Sequence, residues 1–247
     1  MKKPPDKRIR LLLFAIISKE FGRLDRVRDF APLMWLDRKI TAMLLLQYQF
    51  KLCKARDVEI DFVIGEKNGL MSLEFKRLNK VDAVQGYRVT YEIEKTFFEA
   101  EPEASLLAAC HASLIALSQR DGADDGVVDL VFKRLLEEGD SARIDLNRVA
   151  KTIGKYAITP FIRIMKPSMH SDTSLYVQVE DRESGRSGIL HLAQERFDLV
   201  VWLCEKVKIE KGNLICKPTP ALWVDAYRQR GFQVPISVPI EDFFNPE

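Results

Sequence analysis

"DFVIGEKNGLMSLEFKR", Asp61 to Arg77, decides how the first half of the chain is read. On either side of Lys67-Asn68-Gly69 apolar residues alternate with polar ones, the period of strands that bury one face. Just upstream, Val58, Ile60, Phe62 and Ile64 share one face while Glu59 and Asp61 take the other. The pattern predicts two neighbouring antiparallel strands joined by a short turn, with Asp61, Glu74 and Lys76 on the polar side.

The 247 residues are 47% apolar and 30% charged, an ordinary globular balance. The formal net charge is only +2, so attraction for phosphate has to come from local clusters of Lys and Arg. Cys53, Cys110, Cys204 and Cys216 lie far apart without C-x-x-C spacing and read as buried thiols of a reducing, intracellular compartment. The apolar runs Leu11–Ile17 and Leu199–Cys204 fall short of the ~20 residues that span a bilayer. No membrane span and no signal peptide are expected.

Periodicity predicts an N-terminal helical segment (1–38) with a helix from Lys7 to Phe21. A first sheet-plus-helix unit follows (39–100), in which "ITAMLLLQYQFKL" from Ile40 reads as a strand. A central helical segment (101–155) carries "ASLLAACHASLIALSQ" and "VVDLVFKRLLEE", the latter stopped by Gly139. The last segment (156–247) reads as a second sheet-plus-helix unit, with helices at Phe197–Val207 and Ala221–Gln229 and an extended tail. The fold class is α+β: two related antiparallel sheet-plus-helix units with N-terminal and central helices.

The two units align as an internal repeat. "GLMSLEFKRLNKVDA" and "GILHLAQERFDLVVW" match without gaps at Gly69/Gly188, Leu73/Leu192, Arg77/Arg196 and Val81/Val200. The second copy, from "FIRIMK" through "SLYVQVED" to "GRSGILHLAQERFDLVVWL", resembles the β-β-β-β-α unit of the positive cofactor four family and, more distantly, Whirly and Pur-alpha domains. That resemblance implies non-catalytic binding of single-stranded DNA or RNA on an exposed sheet face, with a homodimer or a protein complex as further partners. It also implies basic residues at strand ends and loops, here Lys166, Arg182 and Arg186. The chain departs from that pattern at Ser187 and at the acidic pair Glu180–Asp181.

Binding single strands requires cations for the phosphates and flat side chains for the bases. The first copy offers Tyr48, Phe50, Lys51, Lys54 and Arg56. In the second, Ile162, Ile164, Leu175 and Val177 turn inward, which leaves Phe161, Arg163 and Tyr176 outward.

Asp61, Glu74 and Lys76 also stand in the order of an Asp…Glu-x-Lys metal nuclease, with Glu20 and Gln85 as accessory candidates. In such enzymes carboxylates hold Mg2+, which activates water, and the lysine stabilises developing charge. The polar face of any amphipathic hairpin presents the same residue types, so this catalytic set is the alternative, and only it requires a metal. A structural subunit of a protein assembly is the third class. The three histidines show no ligand spacing, and no phosphate-binding glycine loop or nucleophile elbow is present.

Overall fold

Asp57–Gly65 and Gly69–Arg77 are strands, yet they do not pair with each other. The computed structural model describes residues 7–8, 11–18, 22–23, 31–48, 50–52, 57–78, 85–139, 141–165, 172–218 and 221–245. It divides into two compact units, Met1–Gly139 and Asp140–Glu247, a division that falls inside the central segment expected at 101–155.

In the first unit β1 (Lys7–Arg8) pairs with β4 (Lys51–Leu52), and five strands form a mixed sheet. The five are β2 (Leu11–Ser18), β3 (Gly22–Arg23), β5 (Asp57–Gly65), β6 (Gly69–Arg77) and β7 (Gln85–Glu94), in the order β3-β2-β5-β7-β6. β2, β5 and β7 run parallel, and β6 is antiparallel to β7. The antiparallel hairpin expected of β5 and β6 is therefore corrected: β7 lies between them.

That order sets opposite charges across both of β7's interfaces. Glu59 and Glu74 both stand opposite Arg88 of β7, so the acidic polar faces of β5 and β6 are separated by a cation instead of meeting directly. The turn crosses the end of β7 and is tied there: the Glu66 N–H donates to Glu92 Oε1, and the Glu94 N–H to Asn68 Oδ1, both at 3.0 Å.

Two apolar runs adopt the opposite structure to the one expected. The helix read at Lys7–Phe21 is strand β2, which lies inside the parallel part of the sheet, where strands read as continuous apolar runs. The strand read from Ile40 belongs to helix α1 (Ala31–Ala42) and the π-helical turn Met43–Gln47. Leu36, Ile40, Met43, Leu44 and Gln47 are buried there at helical spacing. Buried Lys39 of α1 donates through Nζ to the Gly139 carbonyl at 2.9 Å, placing a cation on the last carbonyls of α4 (Gly126–Glu138).

The central helices form as read. After the short α2 (Lys95–Ala100), Pro102 opens α3 (Pro102–Asp121), and Gly122, with φ of 75°, ends it. Buried Tyr87 of β7 donates its hydroxyl to Asp121 Oδ1 at 2.6 Å, fastening the end of α3 to the sheet.

The second unit is antiparallel. β8 (Ser141–Asp145), β9 (Lys151–Ile153), β10 (Tyr156–Met165), β11 (Asp172–Asp181) and β12 (Ser187–Arg196) form a sheet in the order β12-β11-β10-β8, with β9 also on β10. Its inner face buries Ile144, Ile162, Ile164, Leu175, Val177 and Val179, and α5 (Phe197–Leu203) packs against β11 and β12. The chain then leaves the helix four residues before the expected end at Val207. β13 (Lys206–Glu210), β14 (Asn213–Lys217) and β15 (Ile236–Pro239) make a small antiparallel sheet, with α6 (Ala221–Gln229) between the last two.

The class is thus α+β. The described strands of the two units do not share one topology, because β5-β7-β6 contains a parallel pair whereas β10-β11-β12 is an antiparallel meander. The aligned glycines differ as well: a Cβ at Gly69 would meet nothing within 4 Å, whereas one at Gly188 would lie 1.5 Å from the Phe243 carbonyl oxygen.

Candidate nucleic-acid interface

On the outer face of the second unit's sheet the register puts Asp145, Phe161, Tyr176 and His191 in one row across β8, β10, β11 and β12. Arg143, Arg163, Ser174 and Gln194 form the next row. Cross-strand neighbours about 5 Å apart let planar side chains stack. The Phe161 and Tyr176 rings lie 5.2 Å apart at 10°, and His191 tilts against Tyr176 at 5.1 Å and 56°.

The two arginines differ in what holds them. Arg143 sits 3.9 Å over the Phe161 ring, and its fork donates to Asp145 Oδ1 at 2.9 Å and Gln178 Oε1 at 2.8 Å, so its charge is compensated. Arg163 is exposed, with its guanidinium 5.2 Å from the Tyr176 ring. Among the described residues no carboxylate pairs with it. Met165 is exposed two residues along β10, and Gln194, His191 and Ile189 are exposed on β12 on the same face.

The alternation in "PFIRIMK" and "SLYVQVE" thus assigned the faces of Phe161, Arg163 and Tyr176 as observed, but Phe161 is 0% exposed. Arg143 covers one side of its ring and Tyr176 the other, so it cannot stack on a base in this arrangement. Sequence reading missed Arg143, Asp145 and His191. "ARIDL" alternates as a strand does, but it lies within 101–155, the segment whose pattern reads as helical.

The remaining basic candidates scatter. Lys54, Arg56 and Lys166 lie outside the described residues, as do Cys53 and Glu20. Arg182 is exposed on the turn after β11. Arg186 donates to the Phe244 carbonyl at 2.9 Å and lies 4.9 Å over the Phe244 ring, so the tail occupies it. The first-copy set does not form a sheet face. Phe50 is buried, Tyr48 accepts a long 3.5 Å contact from Arg134 just after the π-helical turn, and Lys51 is exposed on β4.

The turn bearing Arg182 is organised by Asp181, which accepts from Lys155 Nζ at 2.8 Å and from the N–H groups of Glu183 and Ser184. The Lys155 ammonium, aided by those N–H groups, holds the Asp181 carboxyl down at about 2. A depressed carboxylate stabilises the fold above its unfolded value of about 3.9, and that stability is lost as pH falls toward 2. Asp181→Asn is therefore expected to be less stable than the natural chain at pH ~5, with the gap shrinking toward pH ~2 in urea unfolding. A gap that does not change with pH would contradict this assignment.

Asp61, Glu74 and Lys76 do not converge. Asp61 is buried on β5, where Arg88 pairs with it at 3.2 Å and with Glu59 at 2.6 Å. Glu74 stands two strands away and is paired at 2.5 Å with Lys76, which lowers its carboxyl below the ordinary range. Gln85 opens β7 opposite position 77. Among the described residues no group of three or more His, Cys, Asp or Glu is placed to hold a metal ion.

Cys110, Cys204 and Cys216 are buried and in no disulfide. Cys204 is hydrogen-bonded to Cys216 and buried, and both effects push its thiol well above the ordinary value, away from the nucleophilic thiolate. Among the described residues no helix is long and apolar enough to cross a membrane. Comparison with protein-family models, curated proteins and solved structures finds no match for this chain.

Proposed function

We propose that the outer face of the second unit's sheet binds single-stranded nucleic acid without cleaving it. The observation that carries this reading is Arg163, an exposed guanidinium over the half-buried Tyr176 ring with no carboxylate partner among the described residues. A cation beside a π-face offers one contact to phosphate and one to a base. His191 extends the flat surface, and exposed Ile189 and Met165 supply apolar contact. The resemblance of Phe161–Leu203 to the positive cofactor four family agrees with this use of the face. Binding of the strand is sequence-tolerant, because every base presents a π-face.

The test is titration of a labelled oligonucleotide, single-stranded and duplex, at several salt concentrations. Arg163→Ala should weaken binding and flatten the salt dependence by about 0.7 in slope, the loss of one phosphate contact. Tyr176→Ala should weaken binding about 5- to 150-fold at every salt concentration, matching a stacking loss of 1–3 kcal/mol, with the slope unchanged. Equal affinity for duplex and single strand, or no binding, rejects the reading. Magnesium-dependent shortening of the oligonucleotide that Glu74→Ala abolishes would replace it with the nuclease alternative.

A further inference from the structure

Strand β6 closes one side of the first unit's sheet: β7 pairs with one of its edges, and no described strand pairs with the other. It carries exposed apolar side chains, with Leu70 at 46%, Met71 at 53% and Phe75 at 47%. An open edge of this kind is a template for another strand. Proteins commonly block such edges with a lysine, which repels a second copy. Here Lys76 is preceded by Glu74 on the same face, one residue apart, and that spacing reverses the effect.

Pairing β6 with itself in the antiparallel sense about Phe75 sets Glu74 of one copy opposite Lys76 of the other, and the two-fold repeats the match. Phe75 then meets Phe75 at the axis. Centring the pair on Glu74 would oppose two carboxylates, centring it on Lys76 would oppose two ammonium groups, and parallel pairing in register would do both. Like charges directly opposite are destabilising, so only one of these arrangements is self-complementary. The register shift between Leu70 and Ser72 limits regular pairing to the segment from Ser72 onward.

We propose that a second copy of this chain is the partner of β6, joined by antiparallel pairing about Phe75 into a two-fold dimer with one continuous sheet. The interface is isologous, as two-fold dimers require. It lies on the first unit and does not depend on the nucleic-acid reading.

The test is the mass of the full chain in solution, by sedimentation equilibrium over a range of concentrations. The natural chain is expected to approach twice the chain mass. Glu74→Lys alone and Lys76→Glu alone each place like charges across the interface and should weaken dimerisation about tenfold or more. The double variant Glu74→Lys/Lys76→Glu restores both pairs and should dimerise like the natural chain. An equimolar mixture of the two single variants should also recover the dimer. Circular dichroism establishes that each variant is folded, and Phe75→Lys, which puts two cations at the axis, is the independent disruptor should either single variant not fold. A natural chain that stays monomeric at its highest attainable concentration overturns the proposal. So does a dimer indifferent to the single charge reversals, or one that the double variant fails to restore.

Discussion

Phe161→Ala should lower the free energy of unfolding by about 3–5 kcal/mol, the usual cost of deleting a buried aromatic ring. The ring is fully buried, stacked on Tyr176 and covered by Arg143. Its removal opens a cavity and takes away the surface on which both neighbours rest. Urea unfolding of the variant measures the loss directly. If Phe161 served only to stack bases, the variant would keep its stability and lose affinity. A change in stability below about 1 kcal/mol would therefore show that the ring is not a core element. Because Phe161 supports Tyr176, binding by this variant has to be compared at a temperature where the variant is still folded.

Gly188→Val should release the C-terminal tail. A Cβ at position 188 would lie 1.5 Å from the Phe243 carbonyl oxygen and 2.5 Å from its carbon, and both are backbone atoms. No side-chain rotation relieves that overlap, so the turn Ile240–Phe243 has to lift. Lifting exposes the buried Ile240 and Phe243 and withdraws the carbonyl that Arg186 holds. Exposing two large apolar side chains costs about 3–5 kcal/mol. Limited proteolysis should then cut the tail, and amide exchange there should quicken. Gly69→Ala is the control, since nothing lies within 4 Å of its added Cβ. An intact, protected tail in Gly188→Val, or equal losses in both variants, would contradict the packing described.

Replacing Phe161 tests a residue whose face the sequence revealed and whose burial it did not. Alternation places a side chain on one side of a sheet because successive Cβ atoms point oppositely. It carries no information about what lies over that side, and here the cover is Arg143 from a strand that hydrogen-bonds β10 from twenty residues away. The same limit applies to Arg186, whose position on a basic turn was legible and whose partner, the tail, was not.

What the sequence determined by itself is the local structure whose signals are local. The helical runs of α3 and α4 and the stop of α4 at Gly139 are of this kind, because helix ends depend on residues within one turn. The strands β10 to β12 and the inward set Ile162, Ile164, Leu175 and Val177 follow from period two. Tertiary structure decided the rest. "LLLFAIIS" became a strand and "ITAMLLLQ" a helix, the reverse of the reading, because a short apolar run suits either form and the neighbours with which it is buried select one. Likewise no local feature of Asp61–Arg77 says that β7 will enter between its two strands. In that order Arg88, eleven residues beyond Arg77, meets Glu59 and Glu74 across two interfaces that exist only once the sheet is assembled.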